Sequence, residues 1–317
     1  MSNKKWKSFN QQLDILEKRG LIVEDKSAAL DYLERIGYYR LSGYLYPFRK
    51  LKDPLPDKKN SQSFRKDEFI EGSRFEDAVK LYVFDKKLRL LALDALERIE
   101  LSVRVDVAHF LGEKDIHAYE NPDLLDGNFS KKIIKRGNHD KTQHEIWLKK
   151  YEGALHRARK VPFVSHYKNI YGKLPIWVAI EVWDFGMLSK LFSGMKYKDK
   201  SIIGQKYGAV DGNAFAGWMR SFNFIRNVSA HHSRLWNINV LERSALMKED
   251  YWNQLDNARP FYYFCLMQQL MKVICPNSSW SRRLIKLCDS FPDVANKSVD
   301  LHDFGIIENW KSWSIWS

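Results

Sequence analysis

The sequence predicts an all-α protein, and three observations carry that prediction. Residues Arg74 to Leu111 run without a proline or glycine, with apolar residues at helical spacing throughout. Elsewhere, apolar residues recur at three- and four-residue spacing behind Ser and Asp residues able to cap a helix. Only 9 prolines occur in 317 residues, which suits long helices. Hydrophobic residues make up 44% and charged residues 29%, so the chain can bury a sizeable core.

Taken in order, Ser8 is placed to cap a first helix through Leu13, Ile15 and Leu16, ending near Gly20. Asp25 or Ser27 caps a second, with Leu30, Leu33 and Ile36 on its apolar face and Gly37 as its stop. Residues 37–49 interleave five aromatics with Arg40 and Arg49. Such a stretch is either a tight aromatic packing corner or a surface for stacking bases and binding phosphate. Residues 51–66 are polar, carry Pro54 and Pro56, and read as a mobile loop or linker. The long run 74–111 comes next, as one helix or two joined ones, stopped by Gly112. Residues 113–142 are polar and irregular, and Lys131, Lys132, Lys135 and Arg136 make them a basic candidate for RNA backbone contact. A helix is predicted from about Thr142 to Lys160, then one from Pro175 through Leu188. Glu181 inside the latter reads as a buried carboxylate needing an arginine. A short helix over 199–207 precedes a helix capped by Asp211 or Asn213, and helical stretches over 251–274 and 278–291 lead to Trp310, Trp313 and Trp316, which dock on the body or on a partner. These boundaries divide the chain into an N-terminal helical arm and linker (1–66), a helical core (67–240) and a C-terminal helical extension (241–317).

The net charge is +13, which points to a polyanionic partner, nucleic acid first. Three cysteines, without a CxxC pair, support neither a disulfide framework nor a zinc site. With no signal peptide and no apolar run of about 18 residues, a cytoplasmic location off the membrane is expected. The histidines show no HExxH spacing, so no metal or other cofactor is expected.

The chemistry-bearing stretch is Arg226-Asn227-Val228-Ser229-Ala230-His231-His232-Ser233-Arg234-Leu235-Trp236-Asn237. It follows an amphipathic helical run from Ala214. Continued as a helix from Arg226 at zero, it sets Arg234 near ~80°, Asn227 near ~100° and His231 near ~140°, with His232 on the far side near ~240°. Two cations, an amide and an imidazole would then share one arc. Such a set can hold a phosphate and move a proton near neutral pH. On the long helix, Glu97, Glu100 and Arg104 share a face, as a surface ion-pair ladder or as support for the Arg226 cluster.

Arg226-Asn227-x-x-x-His231 resembles the R-x4-6-H signature of HEPN ribonucleases. Four blocks taken together resemble the successive motifs of the Abi family of phage abortive-infection proteins (Abi-2, AbiD/AbiF-like). They are Tyr38-Tyr39-Arg40-Leu41-Ser42-Gly43-Tyr44, Pro175-Ile176-Trp177, Phe185-Gly186-Met187-Leu188-Ser189, and the stretch from Arg226 to Asn237. The resemblance spans roughly Phe9 to Asn237. It implies a HEPN-like helical bundle core, metal-independent RNA cleavage, and a homodimer with the two motifs facing each other. It also implies toxin-like behaviour restrained by an RNA or protein antitoxin. It maps the catalytic arginine to Arg226, the polar helper to Asn227 and the catalytic histidine to His231, with Glu100 and Arg104 in support. From the residues themselves, Arg234 is added as a supporting cation, His232 as a supporting and more structural neighbour, and Arg40 as a further RNA contact. Arg104 and His109 repeat the R-x4-H spacing on the long helix. The competing readings are a non-catalytic RNA-binding regulatory module and a helical scaffolding domain.

Overall fold

Ser8 caps α1 (Phe9–Lys18) as the sequence predicts: the Gln11 amide donates to its hydroxyl, and the Ser8 amide donates to the Gln11 side chain. In the computed structural model, which describes residues 5–56, 63–136, 139–248 and 250–316, this is the first of thirteen α-helices among the described residues. Asp25, rather than Ser27, caps α2 (Lys26–Ile36), accepting from the Ala28 amide at 2.9 Å. Gly37, at φ +87°, ends α2 and turns the chain directly into α3 (Tyr38–Leu45). The aromatic stretch is therefore a helix and not a turn. Leu41, Tyr44 and Leu45 share its buried face, while Tyr39 and Arg40 face solvent.

The predicted loop is bounded by two short antiparallel strands, β1 (Arg49–Leu51) and β2 (Arg65–Phe69); residues 57–62 within it lie outside the described ones. The long apolar run folds as one helix, α4 (Phe75–Lys114), 40 residues long. Gly112 does not stop it. A Cβ at Gly112 would lie 3.2 Å from Ile176 and 3.5 Å from Trp177, so the missing side chain allows close approach of the next element. The first half of α4 is buried on several faces, between α3 and the C-terminal helices. In the second half Ile99, Val103, Val107 and Leu111, at helical spacing, form one buried stripe. Burial of each contributes about 1.5–3 kcal/mol.

The basic insertion is less irregular than predicted. It holds α5 (Gly127–Ser130) and a hairpin of β3 (Ile133–Arg136) and β4 (His139–Thr142), paired from Ile133↔Thr142 to Arg136↔His139. The two hairpins are departures from a purely helical chain. Thr142 and Glu145 form a capping box on α6 (Gln143–Arg157), and α7 (Pro162–Tyr171) comes after it, started by a proline in its first turn.

The helix predicted from Pro175 to Leu188 is broken in two. After α8 (Ile176–Ala179) and a 3-10 turn, Asp184 caps a new helix, α9 (Phe185–Ser193), by accepting from the Met187 amide at 2.7 Å. Next come α10 (Tyr197–Lys206) and α11 (Gly212–Ala230), the latter capped by Asp211. The C-terminal part holds α12 (Pro260–Ile274) and α13 (Trp280–Asp289); the Trp280 indole donates to the Leu91 carbonyl of α4 at 2.8 Å. Trp313 stacks on Tyr251 and Trp316 on Phe261, so these tail aromatics dock on the body. Buried side chains from Leu13 to Trp316 belong to one continuous hydrophobic cluster. No helix among the described residues is long and apolar enough to cross a membrane.

Candidate active site at the end of the central helix

α11 ends at Ala230, well before Asn237. His231 closes it with near-helical backbone angles, and His232 comes next at φ +57°, in the left-handed region. The His232 amide donates to the Ser229 carbonyl and the Ser233 amide to the Val228 carbonyl, at 3.2 and 2.9 Å. This is a Schellman turn with histidine where glycine is the usual residue. The helical wheel therefore fails beyond His231. Arg234 is not on the arc of Arg226; its guanidinium donates to the Gly43 carbonyl of α3 instead. His232, placed by the wheel on the far side, is swung back beside His231. Both line a cavity of about 580 Å³ with Arg234, Arg40, Tyr39 and Tyr46. Arg40 joins α3 to the turn by donating to the His232 carbonyl at 3.1 Å.

A buried ion pair anchors residues 233–236, just past this turn. Asp85 and Arg89, one turn apart on α4, are 0% and 5% exposed, and the guanidinium donates to the carboxylate at 2.5 Å. Asp85 also accepts from the Tyr44 hydroxyl at 2.6 Å, from the Leu235 amide at 3.1 Å and from the Trp236 amide at 2.8 Å. Arg89 donates to the Ser233 carbonyl at 3.4 Å. The pair thus meets donors and acceptors of the chain just beyond the Schellman turn, where an unmet group would be costly. Sequence reasoning missed it. Its trace was two opposite charges four residues apart on an apolar face.

Arg226 lies on the other side of His231, five residues back along α11. Its guanidinium donates to Asn227 Oδ1 at 3.4 Å, and its charge acts on Glu100 of α4 and Asp184 at the start of α9. Burial holds the Glu100 carboxyl above the usual carboxylate range, although Arg104 and Arg226 pull it down. Burial also opposes ionisation of Asp184, but Lys150, the Met187 amide and Arg226 outweigh it and hold that carboxyl low. Asp184 was not singled out from the sequence. The Phe185-Gly186 block packs beside this group: a Cβ at Gly186 would come 3.2 Å from the Asp184 carboxylate and 3.5 Å from Asn223 of α11.

The profile of the Abi-like proteins matches residues 31–237, more than half of the chain. This chain belongs to the Abi-like protein family. The match begins within α2, later than Phe9, and ends at Asn237, with the turn just described. No curated protein and no solved structure matches the chain. All four motif blocks of this Abi-like protein fall inside the matched span. Family membership ties it to phage defence by abortive infection.

The other predicted residues of the Abi-like chain divide between this neighbourhood and more distant surface. Arg104 donates to Glu100 and to the Trp183 carbonyl, both at 2.6 Å, and lies 3.9 Å from Glu181. Glu181 is 48% exposed, so it is not the buried carboxylate expected, and its cation is Arg104. His109 lines a separate cavity with Arg104, Val105 and Trp177. Lys131 pairs with Asp123 at 2.8 Å, Lys132 is exposed just before the second hairpin and Lys135 is exposed on it; the Arg136 side chain lies outside the described residues. Among the described residues, no three His, Cys, Asp or Glu side chains are grouped to hold a metal ion.

The turn separates the two histidines by backbone conformation. His232→Gly is expected to keep or raise stability, by up to about 1 kcal/mol, because glycine adopts the left-handed conformation without strain. Denaturant midpoints test this; a loss beyond about 1 kcal/mol would show that the imidazole itself holds the turn.

Proposed function

We propose that this Abi-like protein is a metal-independent endoribonuclease of phage defence, with Arg226, Asn227 and His231 at its centre. The observation that supports the reading most is the end of α11. The helix presents a guanidinium, an amide and an exposed imidazole within its last turns, and the Asp85–Arg89 pair and Arg40 hold the chain beyond it. RNA brings its own nucleophile. The ribose O2′ attacks the adjacent phosphorus, the P–O5′ bond breaks, and the products are a 2′,3′-cyclic phosphate and a 5′-hydroxyl. The 2′-hydroxyl gives up a proton and the departing O5′ takes one. His231 serves one of these transfers. A second copy of the chain in a homodimer brings a second imidazole for the other. Arg226 stabilises the charge that builds on the phosphate, and Asn227 orients the guanidinium or binds a phosphate oxygen. Glu100 and Asp184 keep Arg226 directed while no RNA is bound.

One observation favours a second reading, a non-catalytic RNA-binding module. Arg40 and Arg234 both donate to backbone carbonyls, which fixes the two cations beside the His231 cavity without neutralising them, so the cavity can hold a phosphate by charge alone. The readings separate in an RNA cleavage assay in EDTA with the unmodified chain, Arg226→Ala and His231→Ala. Cleavage lost in both variants is expected. Undiminished cleavage in both would remove the site assignment, and binding without cleavage by the unmodified chain would favour the module.

A further inference from the structure

The two most exposed large aromatic side chains among the described residues are Tyr39, at 92%, and Trp6, at 85%. Single exposed apolar residues are common and need no explanation. These two are not scattered. Both line one open cavity of about 880 Å³ between the start of α1 and the outer face of α3. Tyr39 also lines the about 580 Å³ cavity of His231 and His232, so it stands at the ridge where the two cavities adjoin.

The larger cavity is basic. Lys5 and Lys7 flank Trp6 and carry no ion pair among the described residues. Arg19 and Arg49 share one carboxylate, Asp67, at 2.8 and 3.2 Å, which leaves one positive charge in surplus there. Across the ridge stand Arg40 and Arg234. Rings and cations thus line both cavities, and Tyr39 belongs to each. The backbone that carries Tyr39 is also held in place. Ser42 donates to its carbonyl at 2.6 Å, and the next residue, Arg40, ties α3 to the His232 carbonyl.

We propose that Trp6 and Tyr39 are base-stacking platforms on a track that delivers single-stranded RNA to the His231 cavity, so that the site acts on unpaired RNA. The proposal rests on the nuclease reading for the identity of the polymer and adds the strand state and the path. Every base has a face that can stack on an aromatic ring, and a basic groove follows the backbone without regard to sequence. In a duplex those faces are already covered by neighbouring bases, and the A-form major groove is too narrow for side chains to read. The same rings would not grip a duplex.

The test measures binding of fluorescently labelled single-stranded RNA, and of the same sequence as a duplex, to full-length protein carrying His231→Ala to prevent turnover. Trp6→Ala and Tyr39→Ala, added singly, are expected to weaken single-strand binding about 5- to 100-fold each, with Tyr39→Phe restoring it. Duplex binding is expected to be weaker and unchanged by either substitution. Both residues are exposed, so unchanged thermal melting serves as the folding control. Single-strand affinity unaffected by both substitutions would overturn the track and leave the nuclease reading standing. Ring-dependent binding together with no cleavage by the unmodified chain would keep the track and remove the nuclease. If both substitutions instead abolish binding to anionic phosphatidylserine vesicles and leave RNA affinity intact, the rings serve a membrane surface and the proposal fails.

Discussion

His231→Ala is expected to lower RNA cleavage by about 10²- to 10⁴-fold, the range for loss of a proton-transfer group. His232→Gly, one residue on, is expected to cleave within about threefold of the unmodified chain, because its part is the left-handed turn. The contrast matters because both imidazoles line the same cavity, so a role for positive charge alone would make the neighbours interchangeable. Single-turnover rates on one RNA at saturating protein measure the chemical step apart from binding. Equal losses in the two variants would mean that the cavity binds RNA through a diffuse histidine pair. His231→Ala at full rate would move the chemistry elsewhere. Arg226→Ala should slow the same step, since its cation acts on charge that develops in the transition state.

The second large effect falls on stability. Asp85→Ala is expected to cost about 3–5 kcal/mol, because it leaves Arg89 buried without its carboxylate. It also strips the acceptor from the Tyr44 hydroxyl and from the Leu235 and Trp236 amides. Replacing both members of a buried ion pair with apolar residues is often neutral or stabilising. Here the double variant Asp85→Leu, Arg89→Met is expected to remain destabilised by about 2 kcal/mol or more, because the two backbone donors still lack a partner. Urea midpoints for the single and double variants decide it. A double variant as stable as the unmodified chain would show that the bracket on Leu235 and Trp236 carries no weight. Both variants should also lose cleavage in proportion to how far the turn loosens, even though neither residue meets RNA.

Much of this arrangement was legible in the sequence. α4 announced itself through thirty-odd residues of unbroken periodicity, and Ser8, Asp25 and Asp211 marked helix starts through capping side chains, as Gly37 marked a helix end through its backbone freedom, all within a few residues. The turn after Ala230 was not legible. A Schellman turn is usually flagged by glycine, and here histidine takes the left-handed position, so helical spacing ran on unopposed through Arg234. The same cause misplaced His232. Gly112 misled in the opposite sense: a glycine that looks like a stop is inside the helix because Ile176 and Trp177 need the room. The break at Asp184 was hidden because apolar residues continue on both sides of it, and only the cap on Met187 separates two helices. The Asp85 contacts to Leu235 and Trp236 join positions about 150 residues apart, a distance that no local pattern reports. What the sequence did supply for the site was its composition. Arg226, Asn227 and His231 were picked out as candidates by residue type and spacing, while the cavity shared by His231, Arg234 and Arg40 needed the fold.

The central claim is that RNA is cut by its own 2′-hydroxyl at the end of α11. The most direct measurement uses an RNA whose cleavage position by the unmodified chain has been mapped in EDTA. The same RNA is then made with a single 2′-deoxy nucleotide on the 5′ side of that position. Cutting there is expected to stop, while the all-ribose RNA yields a 2′,3′-cyclic phosphate and a 5′-hydroxyl. Cleavage that continues at the 2′-deoxy position would contradict attack by the 2′-hydroxyl.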